Sequence, residues 1–165
     1  MGVPIELVMT RDVLVVRPEM TLKQLDRALL DRGVSGAPVV EGEGLVGVVS
    51  RADVVRAFYQ EQREAARISD FYTSPFPIPV PALERLAQDS KRLATHMTEL
   101  RVRDVMSREP LTVSVDDDLE HVARLMADRH VHRVPVVSTG GRLLGIVTSL
   151  DIVRQVAERG LADLG

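Results

Sequence analysis

Gly145-Ile146-Val147-Thr148-Ser149-Leu150-Asp151 repeats an earlier stretch of the same chain, Gly47-Val48-Val49-Ser50-Arg51-Ala52-Asp53. Each stretch follows a Pro-Val-Val run by a short loop, Pro38-Val39-Val40 in the first copy and Pro135-Val136-Val137 in the second. The offset is 97 residues at the prolines and 98 at the aspartates, so one residue has entered the second loop, near Ser138 to Arg142. Self-similarity on this scale marks a duplicated supersecondary unit and takes precedence over any local motif.

The match runs outward from both stretches. Val8-Met9-Thr10-Arg11 aligns with Val105-Met106-Ser107-Arg108, Leu22 with Leu119, Asp31-Arg32 with Asp128-Arg129, and Val54-Val55-Arg56 with Ile152-Val153-Arg154. Hydrophobic period changes in the same order in each copy: a short strand (Leu14 to Val16; Leu111 to Val113), an amphipathic helix (Leu22 to Arg32; Leu119 to His130), two short strands and a second helix. The unit reads β-α-β-β-α, an α/β (α+β) pattern. Its first helix opens on a cap, Thr21 with Gln24 in copy one and Asp117 with Glu120 in copy two. Asp116-Asp117-Asp118 is an acidic cluster whose place before a helix favours capping over chemistry. The reading places repeat one at 3–56, a connecting insert at 57–103, repeat two at 104–157 and a tail at 158–165.

A unit of roughly 50 residues buries too little apolar surface to stand comfortably alone, so two are expected to pack about a pseudo-twofold axis with clefts where they meet. The net charge of −3 offers no general attraction to nucleic acid or anionic membrane, and no apolar run approaches the ~20 residues that span a bilayer. The chain is expected to be soluble and cytoplasmic. It has no cysteine, hence no disulfide framework and no thiolate nucleophile. The insert carries Phe58, Tyr59, Phe71, Tyr72 and Phe76, with alternate prolines Pro75, Pro77, Pro79 and Pro81 that favour an extended run. Helical spacing of Leu83, Leu86, Leu93 and Met97 predicts an additional helix over Ala82 to Leu100. The segment is a packed connector, or it covers a cleft or docks a partner through its aromatics.

The signature ends a strand at Ser50 or Thr148 and opens a helix with Asp53 or Asp151 in its first turn. Unpaired N–H groups and the dipole gather there, a setting suited to phosphate, while the carboxylate can accept from the vicinal hydroxyls of a ribose. The same Ser-x-x-Asp and Thr-x-x-Asp spacing also writes a capping box, and duplication copies caps as faithfully as sites. Phosphate loops of the Gly-x-x-x-x-Gly-Lys type, Gly-x-Ser-x-Gly elbows and His-Glu-x-x-His motifs are all missing from the sequence, and the histidines lack zinc-site spacing, so neither an enzyme nor a metal site is expected.

The strand and helix order, the Pro-Val-Val strand, the Gly-(Val/Ile)-Val-(Ser/Thr)-x-x-Asp signature and the tandem arrangement together resemble the cystathionine-β-synthase (CBS) domain pair, or Bateman module, over about residues 3 to 56 and 101 to 157. The resemblance implies adenosine-containing ligands such as AMP, ADP, ATP or S-adenosylmethionine, bound as regulators. It implies Asp53 and Asp151 as ribose acceptors and Ser50 and Thr148 as phosphate-side hydroxyls. It points to Val15, Val16 and Ala37, and to Thr112, Val113 and Val134, around the adenine. His132-Arg133, which copy one replaces by Ser35-Gly36, resembles a phosphate-approaching pair, so the two clefts are expected to differ. Two functions follow: an adenosine-ligand sensor that forms a homodimer and signals to a separate, unidentified protein, or a ligand-independent assembly module. Nucleic-acid binding is weaker, because the repeats lack a basic, aromatic strip.

Overall fold

The computed structural model describes residues 2–59, 95 and 97–159. The alternate prolines, Phe71, Tyr72 and Phe76 lie outside these residues, as does most of the helix expected up to Leu100; Met97, Thr98 and Glu99 are helical.

In copy one, α1 (Leu22–Asp31) buries Leu22, Leu25 and Leu29, which recur on one helical face. Its cap forms as expected: the Gln24 N–H donates to Thr21 Oγ1 at 3.1 Å and the Thr21 N–H to Gln24 Oε1 at 2.9 Å. β1 (Gly36–Glu41) and β2 (Gly44–Ser50) form a two-stranded sheet, and α2 (Arg51–Tyr59) follows β2 without a break. A short helix, α3 (Val102–Val105), precedes copy two. There, β3 (Val113–Ser114) leads to α4 (Leu119–Asp128), β4 (Arg133–Val137), β5 (Leu143–Thr148) and α5 (Ser149–Arg159). In this three-stranded sheet β3 runs parallel to β4, and β4 antiparallel to β5. The inserted residue falls in the turn over 138–142 and in a bulge, where Val136 pairs with Gly145 but Val137 with Leu143.

Two expectations need correction. The strand over Leu14 to Val16 shrinks to a single parallel bridge between Val16 and Val39. Pro18, two residues on, has no N–H to extend a ladder. The cap of α4 is Asp118 rather than Asp117: the His121 N–H donates to Asp118 Oδ1 at 2.8 Å, while Asp117 Oδ2 accepts from the Ser114 N–H at 2.7 Å and closes the turn before it.

The compact units do not coincide with the sequence copies. One gathers the chain up to Val13, Glu43–Leu45 and the residues from Pro110 onward; the other takes Leu14–Gly42 and Val46–Glu109. Each copy is thus completed by the segment that leads into and opens the other. The Leu22 N–H donates to the Leu100 carbonyl and the Val102 N–H to that of Met20; correspondingly the Leu119 N–H donates to Val3 and the Ile5 N–H to Asp117. Ser107 exchanges two backbone hydrogen bonds with Val48 at 2.9 and 3.0 Å, and Thr10 exchanges two with Ile146 at 2.8 and 2.9 Å. This explains the glycine of the signature. A Cβ on Gly47 would stand 2.6 Å from the Ser107 carbonyl oxygen, and one on Gly145 2.7 Å from that of Thr10. Only a residue without a side chain admits so close a backbone.

Each unit has its own apolar core. Val16, Leu22, Leu25, Leu29, Ala37, Val39, Val49, Val54 and Val102 fill the one around copy one. Around copy two, Ile5, Leu119, Val122, Met126, Val134, Val136 and Val147 are buried. Full burial of such side chains contributes about 1.5–3 kcal/mol each.

Candidate functional site

Both signatures fold into the same clasp at a strand-to-helix junction. In copy two the Thr148 N–H and Oγ1–H donate to Asp151 Oδ2 at 2.8 and 2.7 Å, and the Asp151 N–H donates back to Thr148 Oγ1 at 3.2 Å. In copy one the Ser50 N–H and Oγ–H donate to Asp53 Oδ2 at 2.8 Å each, and the Asp53 N–H returns to Ser50 Oγ at 3.2 Å. The capping box is therefore built twice. Both carboxylates are buried, Asp53 at 4% and Asp151 at 7% exposure.

The Oδ1 edges differ. Arg56 Nη1 donates to Asp53 Oδ1 at 3.0 Å from a largely enclosed side chain, 28% exposed. Arg154 Nη1 stands 3.5 Å from Asp151 Oδ1, and its side chain is 60% exposed. These arginines were not among the residues expected at the site. Their signal was present in the sequence as the matched Asp-x-x-Arg spacing, which puts both groups on one helical face.

Beside Thr148 and Ser149 the fold places two further expected residues. Arg133 pairs in register with Thr148 across β4 and β5, and the His132 carbonyl accepts from the Ser149 N–H at 2.9 Å. His132 Nδ1 lies 3.4 Å from Ser149 Oγ, and the His132 side chain is exposed. Partial burial pushes the pKa of the Arg133 guanidinium down from its ordinary value through desolvation. Copy one repeats the backbone link, with the Arg51 N–H donating to the Ser35 carbonyl at 3.0 Å, but neither side chain of the His-Arg pair. Instead Arg51 is buried against Asp26, its Nε 3.3 Å from Oδ1.

The residues expected around an adenine divide by burial. Val16, Ala37, Val113 and Val134 are packed inside their units, so a ligand would meet them through an edge or the backbone; Val15 is exposed and Thr112 half-buried.

Two cavities stand out among the described residues. One of about 340 Å³ adjoins the copy-one clasp and is lined by Asp53, Arg56, Ala57, Leu100, Asp104 and Val105. The other, about 410 Å³, lies between α4 and α5 with mostly apolar walls. Of the expected residues it touches only His132.

Comparison with known proteins follows the duplication. Residues 5–60 and 102–158, more than half of the chain, each match the CBS domain. An uncharacterised protein of Methanocaldococcus jannaschii, MJ1426, is 28% identical over 159 residues, covering 90% of both chains. The chloroplastic CBS domain-containing protein CBSX2 of Arabidopsis thaliana is 31% identical over 141 residues, 85% of this chain and 57% of its own. The structure of CBSX2 in complex with AMP superposes with a TM-score of 0.67 at 27% identity, covering 95% of this chain and 98% of that one. An inosine-5′-monophosphate dehydrogenase of Korarchaeum cryptofilum is 28% identical over 142 residues, and there the chain spans only 22% of its relative's length. The chain belongs to the CBS domain family and carries the domain as a tandem pair.

Proposed function

We propose that this CBS pair is a regulatory, non-catalytic module that binds an adenosine-containing ligand at its strand-to-helix clasps and reports occupancy to a separate protein. In this reading Asp151 accepts the ribose hydroxyls, Thr148 stands on the phosphate side, Arg133 and His132 approach the phosphate, and Thr112, Val113 and Val134 border the base. Ser50, Asp53, Val15, Val16 and Ala37 form the sister site. AMP is the first ligand to test, because CBSX2 binds it; ADP, ATP and S-adenosylmethionine share the same adenosine. The observation that carries the reading is the Asp151 carboxylate, fixed by Thr148 beside Arg133 with its second oxygen only loosely held by Arg154. Signalling requires a ligand that distinguishes two states of the module, and a homodimer is the natural carrier of them. Leu30, Leu150 and Val153 leave apolar surface exposed for such an association.

The assembly reading is favoured by one observation: the chain's own hydrogen bonds account for both capping boxes. Asp151→Asn separates the two. As a ribose acceptor, Asp151 should lose tenfold or more in AMP affinity by calorimetry, since a hydrogen bond to a charged group contributes ~1.5–3 kcal/mol. As a cap alone it should lose ~0.3–1 kcal/mol of stability and leave affinity intact. The wild type at an AMP concentration 100 times Kd should gain ~2.7 kcal/mol of stability, and a melting temperature unmoved by AMP, ADP, ATP and S-adenosylmethionine, each up to millimolar, would leave only assembly.

A further inference from the structure

Each clasp asks its carboxylate to do two things at once. A carboxylate offers roughly four lone-pair sites. At both signatures Oδ2 is engaged by the hydroxyl and N–H of the cap residue, so a vicinal diol must be accepted mainly through Oδ1. In copy two that oxygen has an exposed arginine at 3.5 Å; in copy one the arginine sits at 3.0 Å and is largely enclosed. Asp53 and Arg56 both line the 340 Å³ cavity beside the clasp, a volume at the lower end of the range for small-molecule sites. The bond from Arg56 therefore occupies the face of Asp53 that a ligand would enter.

We propose that Arg56 is a built-in competitor that gates the copy-one site, and that the unequal affinity of the two sites is set in part by this arginine. The proposal rests on the reading of Asp53 and Asp151 as ribose acceptors. For a diol to be accepted at Asp53, the guanidinium has to leave Oδ1. Asp104 lines the same cavity, so a released Arg56 remains near a second carboxylate, which lowers the cost of the exchange. The Arg154 contact, being longer and exposed to solvent, offers much less resistance at Asp151.

The test uses the full chain carrying Asp151→Asn, so that binding reports copy one. Adding Arg56→Gln should tighten both adenosine and AMP about tenfold and leave 2′,3′-dideoxyadenosine unimproved, since the oxygen that Arg56 leaves serves the ribose hydroxyls. Arg56→Lys, which keeps the charge next to Asp53 and guards against a folding defect, should tighten both ligands by a smaller factor. Unchanged affinities in both variants, with or without a lower melting temperature, would make Arg56 a structural ion pair and overturn the gate. A loss for AMP with adenosine unaffected would overturn it too, assigning Arg56 to phosphate. The underlying reading fails separately: if Asp151→Asn alone leaves adenosine binding intact, Asp151 is a cap, and the gate falls with the ribose role.

Discussion

The two copies keep the same backbone instructions and differ in the side chains placed on them. Both cap their first helix, close a Ser/Thr-Asp clasp, and end that helix in the same way: the Val34 N–H reaches back to the Leu29 carbonyl and the Val131 N–H to that of Met126, each at 3.0 Å. At the left-handed residue of this turn, however, copy one has Gly33 (φ +64) and copy two His130 (φ +53). Where copy one packs a buried Arg51 against a half-buried Asp26, the aligned residues of copy two are the smaller Ser149 and Ala123, which line the 410 Å³ cavity. The two copies thus share what the backbone requires, together with the Asp-x-x-Arg of each signature, and differ at other charged positions.

The strongest test of the shared backbone is at the signature glycines. Gly47→Ala and Gly145→Ala should each cost about 1–3 kcal/mol in denaturant unfolding, because the new methyl group meets a carbonyl oxygen of the exchanged segment. If either variant is as stable as the wild type, the two edges are not equivalent. Divergence in charge is sharpened by Arg133→Ala. AMP should bind several-fold to tenfold more weakly and adenosine nearly unchanged, as measured by calorimetry; equal losses would place Arg133 away from the phosphate. The smallest effect belongs to His130. His130→Gly relieves left-handed strain at the expense of unfolded-state entropy and should raise stability by up to about 1 kcal/mol, whereas Gly33→Ala should lower it. A destabilised His130→Gly protein would mean that the imidazole contributes more than the strain costs.

Much of this fold is legible in the sequence because the sequence states it twice. The Thr21 cap and the leucine stripe of α1 rest on local spacing, and they formed where expected. The α4 cap moved by one residue because Asp117 found a closer use in the preceding turn, a choice between adjacent aspartates that spacing alone does not make. The exchange of edges was hidden for a deeper reason. Alignment equates Thr10 with Ser107, but the hydrogen bonds of each go to the other copy's strand, and only the two glycines, unable to carry a side chain there, hinted at a close neighbour. The clasp is legible in its Ser/Thr-x-x-Asp spacing. Its arginines are not legible there, because in sequence a helical i,i+3 pair is indistinguishable from ordinary surface charge.

The exchanged segments also bear on how the chain reaches its native state. The unit around copy two needs residues near both ends of the described sequence, so it closes a loop containing nearly all of the other unit. Contacts that distant in sequence slow folding and leave strand edges open while they form. A fragment cut at the limits of either copy would carry its sister's edge segment and lack its own, which makes the tandem pair, and not the single repeat, the smallest segment able to satisfy these hydrogen bonds.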